Sequence, residues 1–343
     1  MLSAAVYGAS GYTGAELVRL LLRHGEVRIA ALSADSNAGR RMGELFGQFG
    51  GLDLPMLSTI TQVDLSEVDV LFCALPHGTT QTAIADALRA KPTLKVVDLS
   101  ADFRLTDPAA YARWYGHEHL APQLQDEAVY GLTEVHRDAI RGTRLVANPG
   151  CHTTTALLPL IPLVAADAID TDTIVVTSAT GMSGAGRGAK VGMLFSEVSE
   201  GYHAYGVANH RHTSELDQEL SRAAGREVLV TFTPHLVPMN RGIYATITAH
   251  GDAARMHAIL SEHYADEPFV TVLRFGEVPQ SRHVRGSNTT HVGVVADRVP
   301  GKALIFSTLD NLVKGASGQA VQNMNLVFGL DEGTGLRQLA LFP

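Results

Sequence analysis

The first hundred residues alternate short apolar runs with stretches of helical character: "SAAVYG", "GAELVRLLLRHG", "VRIAALS", "VDVLFCALP", "TQTAIADALRA" and "LKVVDLS". The runs are built of Val, Ile, Leu and Ala without polar alternation, as strands covered on both faces require. That rhythm predicts βαβ units and hence a doubly wound parallel sheet of Rossmann type. From Ile174 the texture changes. "TIVVTSATGMSGAGRG", "EVLVTFTPHLVP" and "RGIYATITAHG" are rich in Thr and Val and partly alternate, which predicts an α+β domain with a mostly antiparallel sheet. The expected organisation is a cofactor domain over 1–149 and a catalytic and oligomerisation domain over 150–314. The tail from about 315 to 343 returns to helical spacing and is expected to complete the first domain.

At 343 residues the chain is long enough for two cores, and 45% hydrophobic with 18% charged residues is a globular composition. A formal charge of -8 argues against nucleic acid or an anionic membrane as partner, since both need clustered Lys and Arg. The longest apolar run, 156–166, contains two prolines and falls short of the roughly 20 residues of a membrane span. The start lacks the features of a signal peptide, so a cytoplasmic protein is expected. With two cysteines in all, a four-thiolate zinc site is excluded and no disulfide framework is expected.

"VYGASGYTGAELVRLL" places Gly8, Gly11 and Gly14 between a strand and a helix, where glycine permits a tight turn and close approach of a pyrophosphate to the helix N-terminus. Ser10, Tyr12 and Thr13 lie between those glycines and join them as candidate cofactor contacts. After the second strand, Ser33, Arg40 and Arg41 are placed to surround a ribose 2′-phosphate, whereas Asp35 would suit a free 2′-hydroxyl; NADP is expected over NAD.

"VANPGCHTTTALLPL" sets Cys151 after a Pro-Gly turn and at the start of an apolar stretch. A thiol at a helix N-terminus is stabilised as the thiolate, the form that attacks carbonyl carbon. Cys73, inside a strand-like run, is expected to be buried and inert. His152 is a poor base for its neighbour, because successive helical residues point in different directions. "NHRHTSEL" offers His210 and His212 as partners, with Arg211 between them and Thr213 or Ser214 to cap the next helix. A metal site on the His-x-His pair would need ligands that no motif supplies, so no metal is expected. "SGAGRG" brings Gly184 into a loop that can approach cofactor or substrate. Arg104 in "LSADFRL" carries a planar fork suited to phosphate or carboxylate, with a structural pairing to Asp102 as the alternative.

The chain resembles the N-acetyl-γ-glutamyl-phosphate reductase family, related in fold to aspartate-semialdehyde dehydrogenase. The matching segments are "GASGYTGAELVRLL", "ALPHG", "VVDLSADFRL", "YGLTE", "NPGC", "SGAGR", "HRHTSEL", "FTPHLVPMNRGI" and "DNLVKGASGQAVQNMN", in order and nearly end to end. The resemblance implies NADPH-dependent reductive dephosphorylation of an acyl phosphate in arginine biosynthesis, with Cys151 as nucleophile and His210 as acid/base. It implies Asn323 near the nicotinamide, a small-molecule acyl-phosphate substrate and a homodimer or homotetramer, and the expected substrate contacts are Arg104, Asn148 and Arg211. The chain departs from the family pattern at His152 and Thr153, usually Tyr and Pro, and at Ser214, commonly Pro. Rival readings are a sister reductase of aminoadipyl or aspartyl phosphate, a non-catalytic NADP-binding regulator, and a metal enzyme using His210 and His212.

Overall fold

A computed structural model describes residues 1–342 and separates into two compact units, 1–149 with 316–337 and 150–315 with 338–342. Among the described residues no helix is long and apolar enough to cross a membrane.

The first unit is built on seven strands, β1 (Leu2–Tyr7), β2 (Val27–Ser33), β3 (Leu57–Ser58), β4 (Val70–Cys73), β5 (Lys95–Asp98), β6 (Ala128–Tyr130) and β7 (Leu145–Ala147). All pair in parallel, in the order β3-β2-β1-β4-β5-β7-β6. The unalternated apolar runs therefore do what their pattern predicts: β4 is buried at every position, because both faces of the sheet are covered. The helices are α1 (Tyr12–Leu21), the single turn α2 (Met42–Leu45), α3 (Thr80–Ala90), α4 (Pro108–Tyr115) and α5 (Thr133–Gly142). The strand order reverses direction between β1 and β4, and in open α/β sheets ligands gather outside the carboxyl ends of the strands at such a point. The C-terminal helix Gly318–Val327 packs against α1, α5 and β5.

In the second unit, helix α6 (Cys151–Ala165) is followed by β8 (Asp170–Thr180), the single turn α7 (Phe195–Val198), β9 (His203–Ala204), α8 (His212–Ala224), β10 (Thr231–Leu236), β11 (Ile243–His250), α9 (Ala253–His263), β12 (Val270–Val272), β13 (Thr290–Ala296) and β14 (Lys302–Leu309). The sheet order is β12-β13-β14-β11-β8-β10-β9. Four of its six pairings are antiparallel, while β8 with β10 and β12 with β13 are parallel. Residues of β11 alternate between buried and half-buried, the pattern of a sheet with one closely packed face.

Helix α6 is the core of this unit, and every residue from His152 to Val164 is buried. Burial of three consecutive threonines is possible because each hydroxyl bonds back to a carbonyl of the preceding turn: Thr153 and Thr154 to Gly150, Thr155 to Cys151. Pro162 has no N–H for the carbonyl of Leu158, and the Tyr264 hydroxyl takes that carbonyl over. The proline costs the helix one bond, and Tyr264, the residue that caps the end of α9, supplies a substitute.

Candidate active site

In the first unit, β1 ends at Tyr7 and the chain turns at Gly8, whose φ of +80° is a conformation that L side chains rarely adopt. The N–H groups of Gly8 and Ala9 both donate to the Ser33 carbonyl at the end of β2, at 3.0 and 2.9 Å. A Cβ on Gly8 would run into the Ala74 carbonyl beyond β4, and one on Gly14 would run into the Gly8 carbonyl and reach 2.7 Å from the Ala9 Cα. Gly11 is the N-cap of α1 and brings no side-chain cap to the helix terminus. The turn thus presents bare backbone to whatever lies in front of it, and a pyrophosphate fits such a surface. Ser33 is fully buried and its hydroxyl has no hydrogen-bond partner among the described residues, an orphan acceptor and donor beside the turn. Tyr12 is exposed, the Thr13 carbonyl accepts from Ser317 Oγ at 2.9 Å, and Ser10 Oγ accepts from Asn37 Nδ2 at 3.3 Å. Arg40 is exposed and reaches Asn37 Oδ1 and Glu44 Oε2, both at 3.4 Å. Asp35 accepts from the Ile60 N–H at 3.0 Å, which occupies one of the oxygens a ribose hydroxyl would use. The group fits a dinucleotide with its phosphates on the Gly8–Gly14 turn.

Three other expected site residues form one brace in the same unit. Arg104, 5% exposed, donates from Nε to the Asn148 carbonyl at 2.8 Å and from a terminal nitrogen to the Leu99 carbonyl at 3.1 Å. Asn148 donates through Nδ2 to the Ala316 carbonyl at 3.2 Å and accepts through Oδ1 from Asn323 at 3.1 Å. Asn323 also donates to the Gly131 carbonyl and accepts from Thr133 Oγ1, each at 2.8 Å. Its amide is committed to the protein, which gives it a structural duty that the sequence pattern does not reveal. Asp102, the alternative partner of Arg104, is spent on the start of α3, accepting from the amides of Gly78 and Thr80 and from the Thr80 and Tyr111 hydroxyls. Cys73 is fully buried at the end of β4; burial first, and then Asp98, raises its thiol well above the ordinary range. It is inert, as its strand context predicts.

In the second unit Cys151 is the first residue of α6, half-buried, behind the N-cap Gly150. The N–H groups of a first helical turn have no partners within the helix, and they favour negative charge on sulfur. Two glycines make room for this thiol. A Cβ on Gly315 would stand 2.8 Å from the Cys151 Cβ, and one on Gly150 would stand 2.5 to 2.8 Å from three atoms of the His212 ring. Glu215, fully buried on α8, accepts from the Gly150 N–H at 3.0 Å and from Thr153 Oγ1 at 3.1 Å, with His212 Nε2 3.9 Å away. The carboxylate ties α8 to the turn that carries Cys151. Neither Glu215 nor Gly315 stood out in the sequence; the capped-helix register of "HRHTSEL" carries a faint signal for the first, and nothing local marks the second.

The ring of His152 lies in a cluster with His210, His212, Tyr205 and Phe232, whose ring centroids are 5.6 to 6.4 Å from its own. His210 and His212 are closer to each other, at 4.7 Å. His210 Nδ1 accepts from the His212 N–H at 3.2 Å, so in the neutral ring the proton sits on Nε2. Burial is the main reason its pKa falls to about 4; Arg211 lowers it further and Glu215 opposes the fall. His210 is therefore neutral at physiological pH and presents a proton-bearing nitrogen. Thr213 and Ser214 do not cap α8 as expected: the helix already begins at His212, and the Ser214 hydroxyl turns back onto the Arg211 carbonyl at 2.7 Å. Arg211 is exposed at the start of that helix. Gly184 belongs to this unit, in an exposed turn after β8, near Thr180 Oγ1 and Asn311.

Two family models divide the chain in the same sense: "Semialdehyde dehydrogenase, NAD binding domain" matches residues 3–143 and "Semialdehyde dehydrogenase, dimerisation domain" matches 151–311. Solved structures agree on the fold. Aspartate semialdehyde dehydrogenase II of Vibrio cholerae superposes with a TM-score of 0.73 at 18% identity, covering 96% of this chain and 98% of that one. The enzyme of Candida albicans, solved with NADP, gives 0.70 at 18% identity over 96% and 98%. The fold and the two domain models define a nicotinamide-dependent oxidoreductase of the semialdehyde dehydrogenase class. Within that class the sequence narrows further. N-acetyl-gamma-glutamyl-phosphate reductase of Afipia carboxidovorans is 63% identical over 342 residues, 98% of this chain and 97% of that protein, and the same enzyme of Rhodospirillum rubrum is 58% identical over 99% of both. The chain belongs to the N-acetyl-gamma-glutamyl-phosphate reductase family, oxidoreductases of arginine biosynthesis.

Proposed function

We propose that this chain reduces N-acetyl-γ-glutamyl phosphate to N-acetylglutamate 5-semialdehyde, with release of phosphate, through a thioester on Cys151 and with NADPH as reductant. The observation that carries the reading is the setting of Cys151: a half-buried thiol on the first turn of a buried helix, behind a Gly150 turn held by Glu215 of α8, the helix that follows His210.

The Cys151 sulfur, favoured as thiolate by the first-turn amides of α6, attacks the acyl carbon; the S–C bond forms, the C–O bond to phosphate breaks, and phosphate leaves with its electron pair. His210, with a proton on Nε2, donates a hydrogen bond to the acyl oxygen as negative charge develops there, and the α6 amides add to that stabilisation. When bound, the reduced nicotinamide supplies the hydride that reduces the thioester carbonyl. Collapse of the resulting thiohemiacetal oxyanion breaks the C–S bond and returns the electron pair to sulfur, freeing the aldehyde and the Cys151 thiolate while His210 holds the oxygen through Nε2–H. Glu215 keeps the Gly150 turn in place while the sulfur changes partners.

The Gly8–Gly14 turn is the phosphate cradle, with Ser10, Tyr12 and Thr13 lining it. Arg40 and Ser33 account for a preference for NADP, Arg40 as a cation for a 2′-phosphate and Ser33 through its uncommitted hydroxyl. Arg104 and Asn148 act on the substrate side by shaping the loop before the nucleophile, and Arg211 offers an exposed charge for the acyl phosphate. The half-buried row Tyr244, Leu304 and Phe306 on the open face of the second sheet, with Val175 41% exposed beside it, suits a self-association surface, which supports a homo-oligomer.

Phosphate-dependent reduction of NADP by the purified protein with N-acetylglutamate semialdehyde tests the activity, and aspartate and aminoadipate semialdehydes test the specificity. Cys151→Ser should bind NADPH normally and lose nearly all turnover; undiminished reduction by it overturns the thioester route. If His212→Asn abolished turnover and His210→Asn spared it, the role toward the acyl oxygen would pass to His212.

A further inference from the structure

His152 is unsuited to act as a base for Cys151, yet it is held more completely than any other histidine of the cluster. Its ring is 2% exposed, Nδ1 meets Ser178 Oγ at 2.7 Å, and Nε2 meets the Tyr205 hydroxyl at 3.0 Å. Burial, with a lesser contribution from His210, drops its pKa to about 3, so the ring carries one hydrogen and one lone pair on its two nitrogens. A neutral imidazole between two hydroxyls is a directional wire. When Ser178 donates to Nδ1, the proton sits on Nε2 and is donated to the Tyr205 oxygen, and the phenolic hydrogen is released to point elsewhere.

Both ends of the wire are pinned to the same row of the sheet. Ser178 on β8 and Pro234 on β10 are register partners, and the Tyr205 N–H donates to the Pro234 carbonyl at 3.1 Å. The Tyr205 ring lies 5.4 Å from that of His210, and negative charge on the Cys151 sulfur adds to burial in making the phenol harder to ionise. The phenol is thus bonded to the ring of the residue that follows Cys151 in the chain. His210, His212 and Glu215 belong to the same cluster, with His212 Nε2 3.9 Å from Glu215, and Lys314, next to Gly315, has its Nζ 6.0 Å from the Phe269 ring.

We propose that His152 is a positioning residue: with Ser178 it orients the Tyr205 hydroxyl so that its hydrogen is presented to the Cys151 sulfur, stabilising the thiolate. The proposal deepens the reading of Cys151 as nucleophile and rests on it. It gives a role to a residue at which this chain departs from the usual pattern. It also explains why a histidine is kept neutral and buried beside the nucleophile.

The test is the pH dependence of Cys151 alkylation by iodoacetamide on the full-length protein, read from the mass of the Cys151 peptide between pH 5 and 10. Tyr205→Phe and His152→Phe should each move the midpoint upward by about half to one pH unit, a three- to tenfold slower alkylation at a fixed pH below it. The double variant should shift no further than either single one, because the two side chains act as one unit. His152→Gln, whose amide N–H can replace Nε2–H toward Tyr205, should stay close to the native midpoint. A role in packing alone would lower turnover and leave the midpoint where it is. Should His152→Phe fail to fold, Tyr205→Phe decides alone. An unshifted midpoint in Tyr205→Phe, or additive shifts in the double variant, overturns the proposal. Alkylation does not require turnover, so failure of the thioester reading would appear separately, as retained activity in Cys151→Ser.

Discussion

Gly315→Ala is a one-carbon change with a calculable consequence. The added Cβ would lie 2.8 Å from the Cys151 Cβ, 3.1 Å from Leu309 Cδ1 and 3.3 Å from the Asp310 carbonyl oxygen. Carbon atoms in contact settle near 3.5–4.0 Å, so Cys151 would have to retreat by about 1 Å. The surroundings give little room for relief. The Gly315 N–H is bonded to the Asp310 carbonyl at 2.9 Å, and Asp310 itself is fully buried, holding the amides of Gly286 and Leu312 at 2.7 and 2.8 Å. On the other side, α6 is packed along its length and cannot slide. Overpacking of this kind costs about 1–3 kcal/mol in stability, whereas a displacement of about 1 Å at a reacting atom can cost on the order of a hundredfold in rate. Gly315→Ala should therefore lower kcat by roughly two orders of magnitude while the protein remains folded and keeps its NADPH affinity. Steady-state kinetics, a thermal melt and a fluorescence titration with NADPH make the three measurements. Native kcat in a folded Gly315→Ala protein would refute the claim that this glycine sets the position of the thiol.

Three further changes probe other parts of the molecule. Gly8→Ala combines a left-handed backbone, costing about 1–2 kcal/mol for an L residue, with a clash on the Ala74 carbonyl, and should weaken NADPH binding at least tenfold by titration; an unchanged Kd would count against the turn as phosphate cradle. Arg40→Ser should reduce the preference for NADPH over NADH by about tenfold or more in kcat/KM, since a charge-assisted contact to phosphate is worth about 1.5–3 kcal/mol, and an unaltered ratio would move the 2′-phosphate elsewhere. His152 titrates at about 3 in the native protein against about 6.5 unfolded, so between those values the unfolded chain binds more protons and native stability falls as pH falls. At pH 5 the loss from this residue is about 2 kcal/mol, and urea unfolding at pH 7.5 and 5 should show His152→Gln losing that much less than the native protein; identical losses would show that the ring is not held neutral.

The periodicity of the first hundred residues was enough to specify a parallel sheet with its glycine turn after β1, because covered strands and tight βα turns leave local marks in the sequence. The shift toward Thr and Val likewise announced a second, mostly antiparallel sheet. Cys151 at a helix start was legible for the same reason: Pro149, Gly150 and the apolar run after them are neighbours in the chain. Inert Cys73 was legible from its strand. Asn323 shows the limit, for its place in the tail says nothing of the Gly131, Thr133 and Asn148 groups to which its amide is bonded.

What surrounds the thiol was a matter for the tertiary structure alone. Gly315 lies 164 positions after Cys151 and Ser178 lies 26 after His152, and no spacing rule links them. Glu215 reaches Gly150 only because α8 packs on α6. The sequence by itself determined the elements, the fold class and the position of Cys151 at a helix start, since these follow from patterns over a few neighbouring residues. The histidine that carries a proton, the ring that is wired to hydroxyls and the space left for the sulfur depend on side chains meeting across distant elements, and burial there sets the protonation states that the sequence could not.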